Sequence, residues 1–380
     1  MDKKIKDQSR RKFLYTLGLA GLSIPLISSS VCNDNKKSNP QDMIKKNKAA
    51  GKLGIALVGL GNYSNGQLAP ALQQTEHCYL AGIVTGTPSK IDTWRNKYNI
   101  PEKNVYNYQT FDSIKDNPDI DIIYIVLPNS MHAEYVIRAA ETGKQIVCEK
   151  PMAITVADCD KMIAACKKAN RMLSVGYRLH FEPYNLEMAR LGSQKIYSNI
   201  KKMSAGFGFS IGDPTQWRLK KSMAGGGPLE DLGIYCIQGF CYTTGMEPIA
   251  VTAQEGPKTD MEKFKDVEQS LTWQMEMPNG IICEGKASYS DGMNFLKAEA
   301  EKGIFELTSA FNYRGQAGNT PAGAMNFPSV NQQTKQMDAF ALSVKNKQPT
   351  IVPGEMGRRD VKIISAIYEA MNTGKRVMIK

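Results

Sequence analysis

Between residues 53 and 176 the chain alternates short apolar runs with segments of helical period. The runs at 53–58, 78–86, 120–127 and 146–148, and the stretch RMLSVGYR at 171–178, are apolar nearly throughout, as strands covered on both faces are. Strand, helix and strand recur at the spacing of parallel βαβ units. The expected fold is a doubly wound Rossmann α/β domain over 53–176, with its ligand across the carboxyl ends of the strands.

Beyond 176 the pattern changes. Residues 196–209, 249–255, 268–277, 281–289 and 294–308 read as strands, and 182–192, 229–244, 331–346 and 355–373 as helices. Clustered strands with flanking helices predict an α+β domain over 177–380, with a large, mostly antiparallel open sheet. A chain of 380 residues is long enough for two cores.

The first residues fit neither pattern. SRRKFLYTLG, Ser9 to Gly18, sets Arg10 and Arg11 before an apolar run to about Ile27 that Pro25 interrupts. It is short for a membrane span and matches the twin-arginine export signal closely. Residues 1–31 are read as that leader, with the twin-arginine export machinery as partner and the periplasm as destination. A small-x-small cleavage site is not evident, and SSSVC is a poor lipoprotein box, which leaves lipidation at Cys32 open. Residues 32–52 are polar, without apolar periodicity, and are expected to be a tether or arm.

The formal charge of +11 looks like a nucleic-acid signal until it is divided. Residues 1–31 and 33–52 each carry six basic against two acidic side chains, so only three of the eleven charges lie beyond Lys52. Nucleic acid is not an expected partner. Eight cysteines without a CxxC, beside only three histidines, give no metal site.

The candidate chemistry begins at VGLGNYS. Gly59 and Gly61 supply two members of a GxGxxG turn, and Ser64 stands where the third glycine would be. An NAD-specific fold places Asp or Glu at the end of the second strand, where this chain has VTGTPSK. Thr85, Thr87 and Lys90 are suited to a 2′-phosphate, so NADP is expected over NAD.

In KQIVCEKPMA a strand runs into Glu149 and Lys150, and Pro151 stops it. On the helix after AGGGP, Asp231 and Tyr235 are four apart and share a face. Oxidising a carbinol needs a base for the hydroxyl proton, and a phenol of ordinary pKa about 10 needs a cation beside it to serve. Lys150 would be that cation, donating also to the substrate oxygen, and Asp231 would orient the sugar and keep Lys150 charged.

Read together, VGLGNY, YIVLPNSMHAEYVIRAA, CEKPMA, VADCDKMI, GYRLHFEPYN, QWRL, AGGGPLEDLGIY and IYEAMNTGKRV resemble the glucose-fructose oxidoreductase and inositol dehydrogenase family, from about Gly54 to Met378. The resemblance implies Lys150, Asp231 and Tyr235 as the catalytic group, with Tyr235 as acid/base. It implies NADP contacts from Gly59, Gly61, Asn62, Tyr63, Ser64, Thr85, Lys90, Tyr108, Leu127, Pro128, Asn129, Glu149, Arg178, Trp217 and Arg218. It further implies Tyr313 near the sugar substrate and the open sheet as the interface of a homo-oligomer, a dimer or tetramer. The tether is shorter and richer in lysine than the long proline-rich arm with which glucose-fructose oxidoreductases clamp a neighbour's cofactor.

Three readings stand at this point: an exported sugar oxidoreductase, a nicotinamide-dependent glycosidase, and a non-catalytic sugar sensor. Glu149-Lys150-Pro151 disfavours the second, and the intact Lys150 and Tyr235 the third.

Overall fold

The computed structural model describes residues 39–379. The leader, Cys32 and the first part of the tether lie outside the described residues. The rest of the tether is not an extended arm, because residues 40–49 form helix α1 (Pro40–Ala49). Pro40 opens it and the Asn39 side chain accepts from Gln41 N–H at 3.0 Å, a cap that needs no apolar stripe. Ile44 alone is buried, so periodicity gave no signal. Lys48 donates to the Pro118 carbonyl and pairs with Asp119 at 3.9 Å, which docks α1 at the amino ends of the strands.

The first sheet comprises β1 (Leu53–Val58), β2 (Cys78–Val84), β3 (Val105–Tyr106), β4 (Ile122–Ile125), β5 (Gln145–Cys148) and β6 (Leu173–Val175). All pairs are parallel, in the order β3-β2-β1-β4-β5-β6. Strand order reverses between β1 and β4, which opens a crevice at their carboxyl ends. The connections carry α2 (Ala69–Leu72), α3 (Ile91–Tyr98), α4 (His132–Glu141) and α5 (Val156–Lys168). The helix after β1 begins at Asn62 and passes through a π-helical turn, Ser64–Leu68.

The second part runs α6 (Pro183–Ser193), β7 (Ile200–Gly208), α7 (Lys221–Ala224), a π-helical turn Leu229–Gly233 and α8 (Ile234–Thr244). Then follow β8 (Ala250–Glu255), β9 (Ser270–Glu276), β10 (Ile282–Ser288), β11 (Met293–Ala300), β12 (Gly303–Thr308), β13 (Ala317–Thr320) and β14 (Gly323–Ala324). The chain closes with α9 (Gln332–Asn346), α10 (Gly354–Thr373) and β15 (Val377–Met378). The nine strands are ordered β14-β13-β12-β11-β7-β10-β9-β8-β15, antiparallel except for the parallel pair β7 and β10. The span 294–308, expected as one strand, is a hairpin turning at Glu301 and Lys302. Strand β9 shows why one face is dry: Leu271, Trp273 and Met275 are buried, while Thr272 and Gln274 are exposed on the other face.

The boundary expected at 176 is crossed by the end of the chain. Met337, Phe340 and Ala341 of α9 pack with Leu57, Leu68, Leu80 and Ile83, covering a face of the parallel sheet that its own helices leave partly bare. Asp338 fastens the same helix by accepting from Glu76 and His77 N–H at 3.0 and 2.8 Å. Among the described residues no helix is long and apolar enough to cross a membrane.

Candidate active site

The turn after β1 is built for close approach. Gly59 has φ +93°, and a Cβ there would meet the Val126 carbonyl at 2.5 Å, whereas a Cβ at Gly61 would meet no atom within 4 Å. Ser64 is fully buried and donates to the Gly59 carbonyl at 2.6 Å, so its hydroxyl braces the turn from inside and does not face a ligand. Asn62 and Tyr63 open the helix above it.

At the end of β2, the buried Thr85 hydroxyl oxygen accepts from Thr87 N–H at 3.1 Å and shapes the loop. Lys90 crosses to the glycine turn and donates to the Leu60 carbonyl at 2.9 Å. The Tyr108 ring lies against Gly86, where a Cβ would meet it at 2.6 Å. Thus Lys90, Gly59, Gly61 and Tyr108 border one end of the crevice.

Residues Leu127, Pro128 and Asn129 follow β4. The buried Asn129 donates to the Ala224 carbonyl at 2.8 Å, tying this loop to α7. Sequence reasoning passed over His132, whose ring sits 2.9 Å from both the Leu127 and the Pro151 carbonyls and so joins the loops after β4 and β5.

The Lys150–Pro151 peptide is cis. Lys150 Nζ donates to the Asp231 backbone carbonyl at 2.6 Å and to its carboxylate at 3.3 Å. Asp231 also accepts from Arg218 Nε at 3.1 Å and from Tyr289 Oη at 3.2 Å. Burial alone would raise its pKa, but Arg218 and Lys150 outweigh burial and hold it at about 2. Lys150 Nζ lies 4.6 Å from the centre of the Tyr235 ring, and the Arg178 guanidinium 4.8 Å. Phe207 and Phe311 wall the same ring.

The remaining predicted residues fall around this centre. Glu149 is buried and accepts from Tyr124 Oη at 2.6 Å; burial raises its pKa, against the Tyr124 bond and the nearby Lys150. Arg178 stacks on the half-exposed Tyr313 at 4.4 Å, and the Tyr63 ring stacks on Tyr313 as well, at 6.2 Å between ring centres. Trp217 carries the Arg218 guanidinium over its ring at 4.6 Å. Arg218, expected as a cofactor contact, is therefore committed to Asp231 in this arrangement. Tyr289, which no motif announced, follows directly on β10 of the second sheet, and only the fold brings it to Asp231.

A dinucleotide fits these residues: the turn is open at Gly61, packed behind Gly59, and bordered by a lysine where an acidic side chain would repel phosphate. Residues 53–177 match the oxidoreductase family with an NAD-binding Rossmann fold, and 187–303 match the GFO/IDH/MocA C-terminal domain. The chain belongs to the GFO/IDH/MocA family of oxidoreductases. Among solved members of similar fold is an aldose-aldose oxidoreductase from Caulobacter crescentus, solved with glycerol: 40% identical, covering 86% of this chain and 99% of that one, with a TM-score of 0.84. A D-xylose 1-dehydrogenase [NADP(+)] of Haloarcula marismortui is 24% identical over 86% of this chain and 92% of its own length. The scyllo-inositol dehydrogenase of Lactobacillus casei shares the fold at 18% identity and a TM-score of 0.74. Within this family the chain is an oxidoreductase with a nicotinamide-binding Rossmann domain.

Proposed function

We propose that the chain is an exported NADP-dependent sugar oxidoreductase in which an aldose is oxidised at Tyr235 and a second sugar, a ketose, is reduced at the same site. The observation that carries the reading is the Tyr235 ring with two cations over it, beside an Asp231 carboxylate fixed by three donors. A nicotinamide held in this crevice would supply the hydride acceptor for the sugar carbon. Tyr235 Oη takes the hydroxyl proton as the carbon gives up its hydride, and returns it when the ketose is reduced. Lys150 and Arg178 place positive charge over the ring whose oxygen acts as base. Asp231, ionised throughout the neutral range, holds Lys150 in place and accepts from a neighbouring sugar hydroxyl. Phe207 and Phe311 keep water from the ring.

The missing carboxylate after Val84 and the reach of Lys90 support NADP over NAD, as do relatives named for NADP(+). Export rests on the Ser9–Leu14 signal, and it explains recycling: a free nicotinamide is scarce outside the cytoplasm, so a retained one must be regenerated in place. Because α1 docks at the amino ends of the strands, away from the crevice, retention would fall to the crevice itself and not to a clamping arm. The open face of the nine-stranded sheet is the proposed homo-oligomer surface, in a dimer or tetramer.

The test is mass spectrometry of the small molecule released from protein taken from the periplasm, followed by a sugar panel read at nicotinamide absorbance. NADP(H) should be carried, and an aldose and a ketose should move the signal in opposite directions, with ping-pong kinetics. Lys90→Ala should weaken NADP far more than NAD, because only the phosphate loses a charged partner. Cofactor-free protein that turns over only with a large excess of NADP contradicts the recycling.

A further inference from the structure

Helix α9 enters the molecule from the far end of the chain, yet its first turn reaches three parts of the active site. Gln332, Gln333 and Gln336 are all buried, at 1, 3 and 2% exposure. Burying an amide costs stability unless its polar atoms are paired, so three in five residues call for partners. Each has a different one.

Gln332 Oε1 accepts from Arg178 Nη1, while its Nε2 donates to the Asn312 and Tyr313 carbonyls at 3.0 and 3.2 Å. This fixes the guanidinium that lies over Tyr235 and Tyr313. Gln333 Nε2 donates to Tyr63 Oη at 3.4 Å, on the helix above the glycine turn. Gln336 Nε2 donates to Tyr124 Oη at 2.7 Å, and Tyr124 donates on to Glu149, the neighbour of Lys150. In that last chain the direction is set: an ionised Glu149 takes the tyrosine proton, so the tyrosine oxygen must receive from an amide N–H. A protonated Glu149 would reverse both bonds, and an amide, bearing donor and acceptor at one end, serves either direction. Gln336 Oε1 has no hydrogen-bond partner among the described residues, so turning the amide over breaks no other bond there.

We propose that Gln332, Gln333 and Gln336 are positioning residues for the hydride-transfer reaction, a polar spine that registers the Arg178–Tyr313 side, the cofactor turn and the Glu149–Lys150 strand end against one another. The inference rests on the nicotinamide and sugar reading of the crevice and adds which residues hold it in register. It assigns a separate consequence to each glutamine. Gln332→Met should raise the KM for sugar about tenfold and weaken cofactor binding by less than about threefold, since it releases a charged hydrogen bond on the substrate side. Gln332→Glu keeps an acceptor for Arg178 but turns an oxygen to the Asn312 and Tyr313 carbonyls, so it should restore only part of that loss. Gln333→Met should weaken cofactor binding about threefold and leave the sugar KM alone, in keeping with its long bond. Gln336→Met should lower kcat with both affinities intact, and Gln336→Glu, by placing a second carboxyl on Tyr124, should move the acidic limb of kcat/KM to higher pH.

Cofactor is measured first on the unaltered protein, by mass spectrometry of what it releases and by isothermal titration once it has been stripped; a protein that neither carries nor rebinds NADP overturns the functional reading. With binding normal, the variants are compared for KM, kcat, cofactor Kd and melting temperature. Three distinct signatures, not proportional to loss of melting temperature, are expected. If all three Met variants lose kcat and both affinities together, in step with melting temperature, or if Gln332→Glu rescues nothing, the spine is only packing and the proposal falls.

Discussion

Two glycine-rich turns deliver the active site, and they use glycine for opposite ends. In the turn after β1, Gly61 faces open space, so the missing side chain leaves room for something outside the protein. In the turn before α8, all three glycines face the protein itself. A Cβ would stand 2.9 Å from Glu230 Oε1 at Gly225, 1.8 Å from Tyr368 Oη at Gly226 and 2.5 Å from the Glu268 carbonyl at Gly227. Here the backbone lies on a buried polar cluster. Glu268 accepts from Gly227 and Leu229 N–H at 3.0 and 3.2 Å and from Tyr368 Oη at 2.9 Å, and so caps the helical segment that carries Asp231 and Tyr235. One turn leaves open space beside it, and the other fixes where Asp231 and Tyr235 stand.

The sharpest way to break this comparison is to add a methyl group to each turn. Gly226→Ala should destabilise the fold by roughly 1–3 kcal/mol, because the Tyr368 ring end must shift and strain its bond to Glu268. Tyr368→Phe, which removes the hydroxyl, should recover part of that in the double variant. Urea denaturation checks both, and an unchanged midpoint for Gly226→Ala would mean the loop is not packed as described.

A second test acts on the residue that the tight turn positions. Asp231 is held at about 2 in the fold against an ordinary 3.8, so its stabilising contribution is complete above about pH 4 and is lost as pH falls through about 2. Asp231→Asn should flatten the stability curve in that window by roughly 2 kcal/mol, read from melting temperatures between pH 5 and 2. Steep acid loss persisting in the variant would place the titrating group elsewhere.

The smallest expected effect on stability falls at the open turn. Gly61→Ala should leave the urea midpoint within about 0.5 kcal/mol of the parent. It should weaken NADP by about tenfold, since the methyl group occupies the approach of the pyrophosphate. Loss of stability without loss of affinity would reverse the assignment of the two turns.

The difference between the turns also measures what was legible in the sequence. The glycine turn was readable because strand, turn and helix are contiguous, and the meeting of Lys150 with Asp231 and Tyr235 because a cation, a carboxylate and a phenol were expected within reach of one another. Ser64 misled, since its hydroxyl turns inward to Gly59, and α1 was missed because a single buried Ile44 makes no stripe. Tyr289, Glu268, His132 and the glutamines of α9 carry no local signature. Their partners lie 58, 39 to 100, 5 to 19 and up to 270 residues away, so tertiary packing alone makes them part of the site. The hairpin at 301–302 was hidden for a related reason: β11 and β12 are both strands, and the turn between them is only two residues long.

The central claim is that Tyr235 passes the proton while sugar and nicotinamide exchange a hydride. Rapid mixing of NADP-loaded protein with an aldose that the sugar panel identifies, followed at nicotinamide absorbance, tests it in one turnover. Tyr235→Phe keeps the ring under Lys150 and Arg178 and removes only the hydroxyl. Its rate of nicotinamide reduction should fall by roughly 10²-fold or more, while NADP affinity barely changes. A Phe variant that reduces its nicotinamide at the parent's rate would remove Tyr235 from the chemistry.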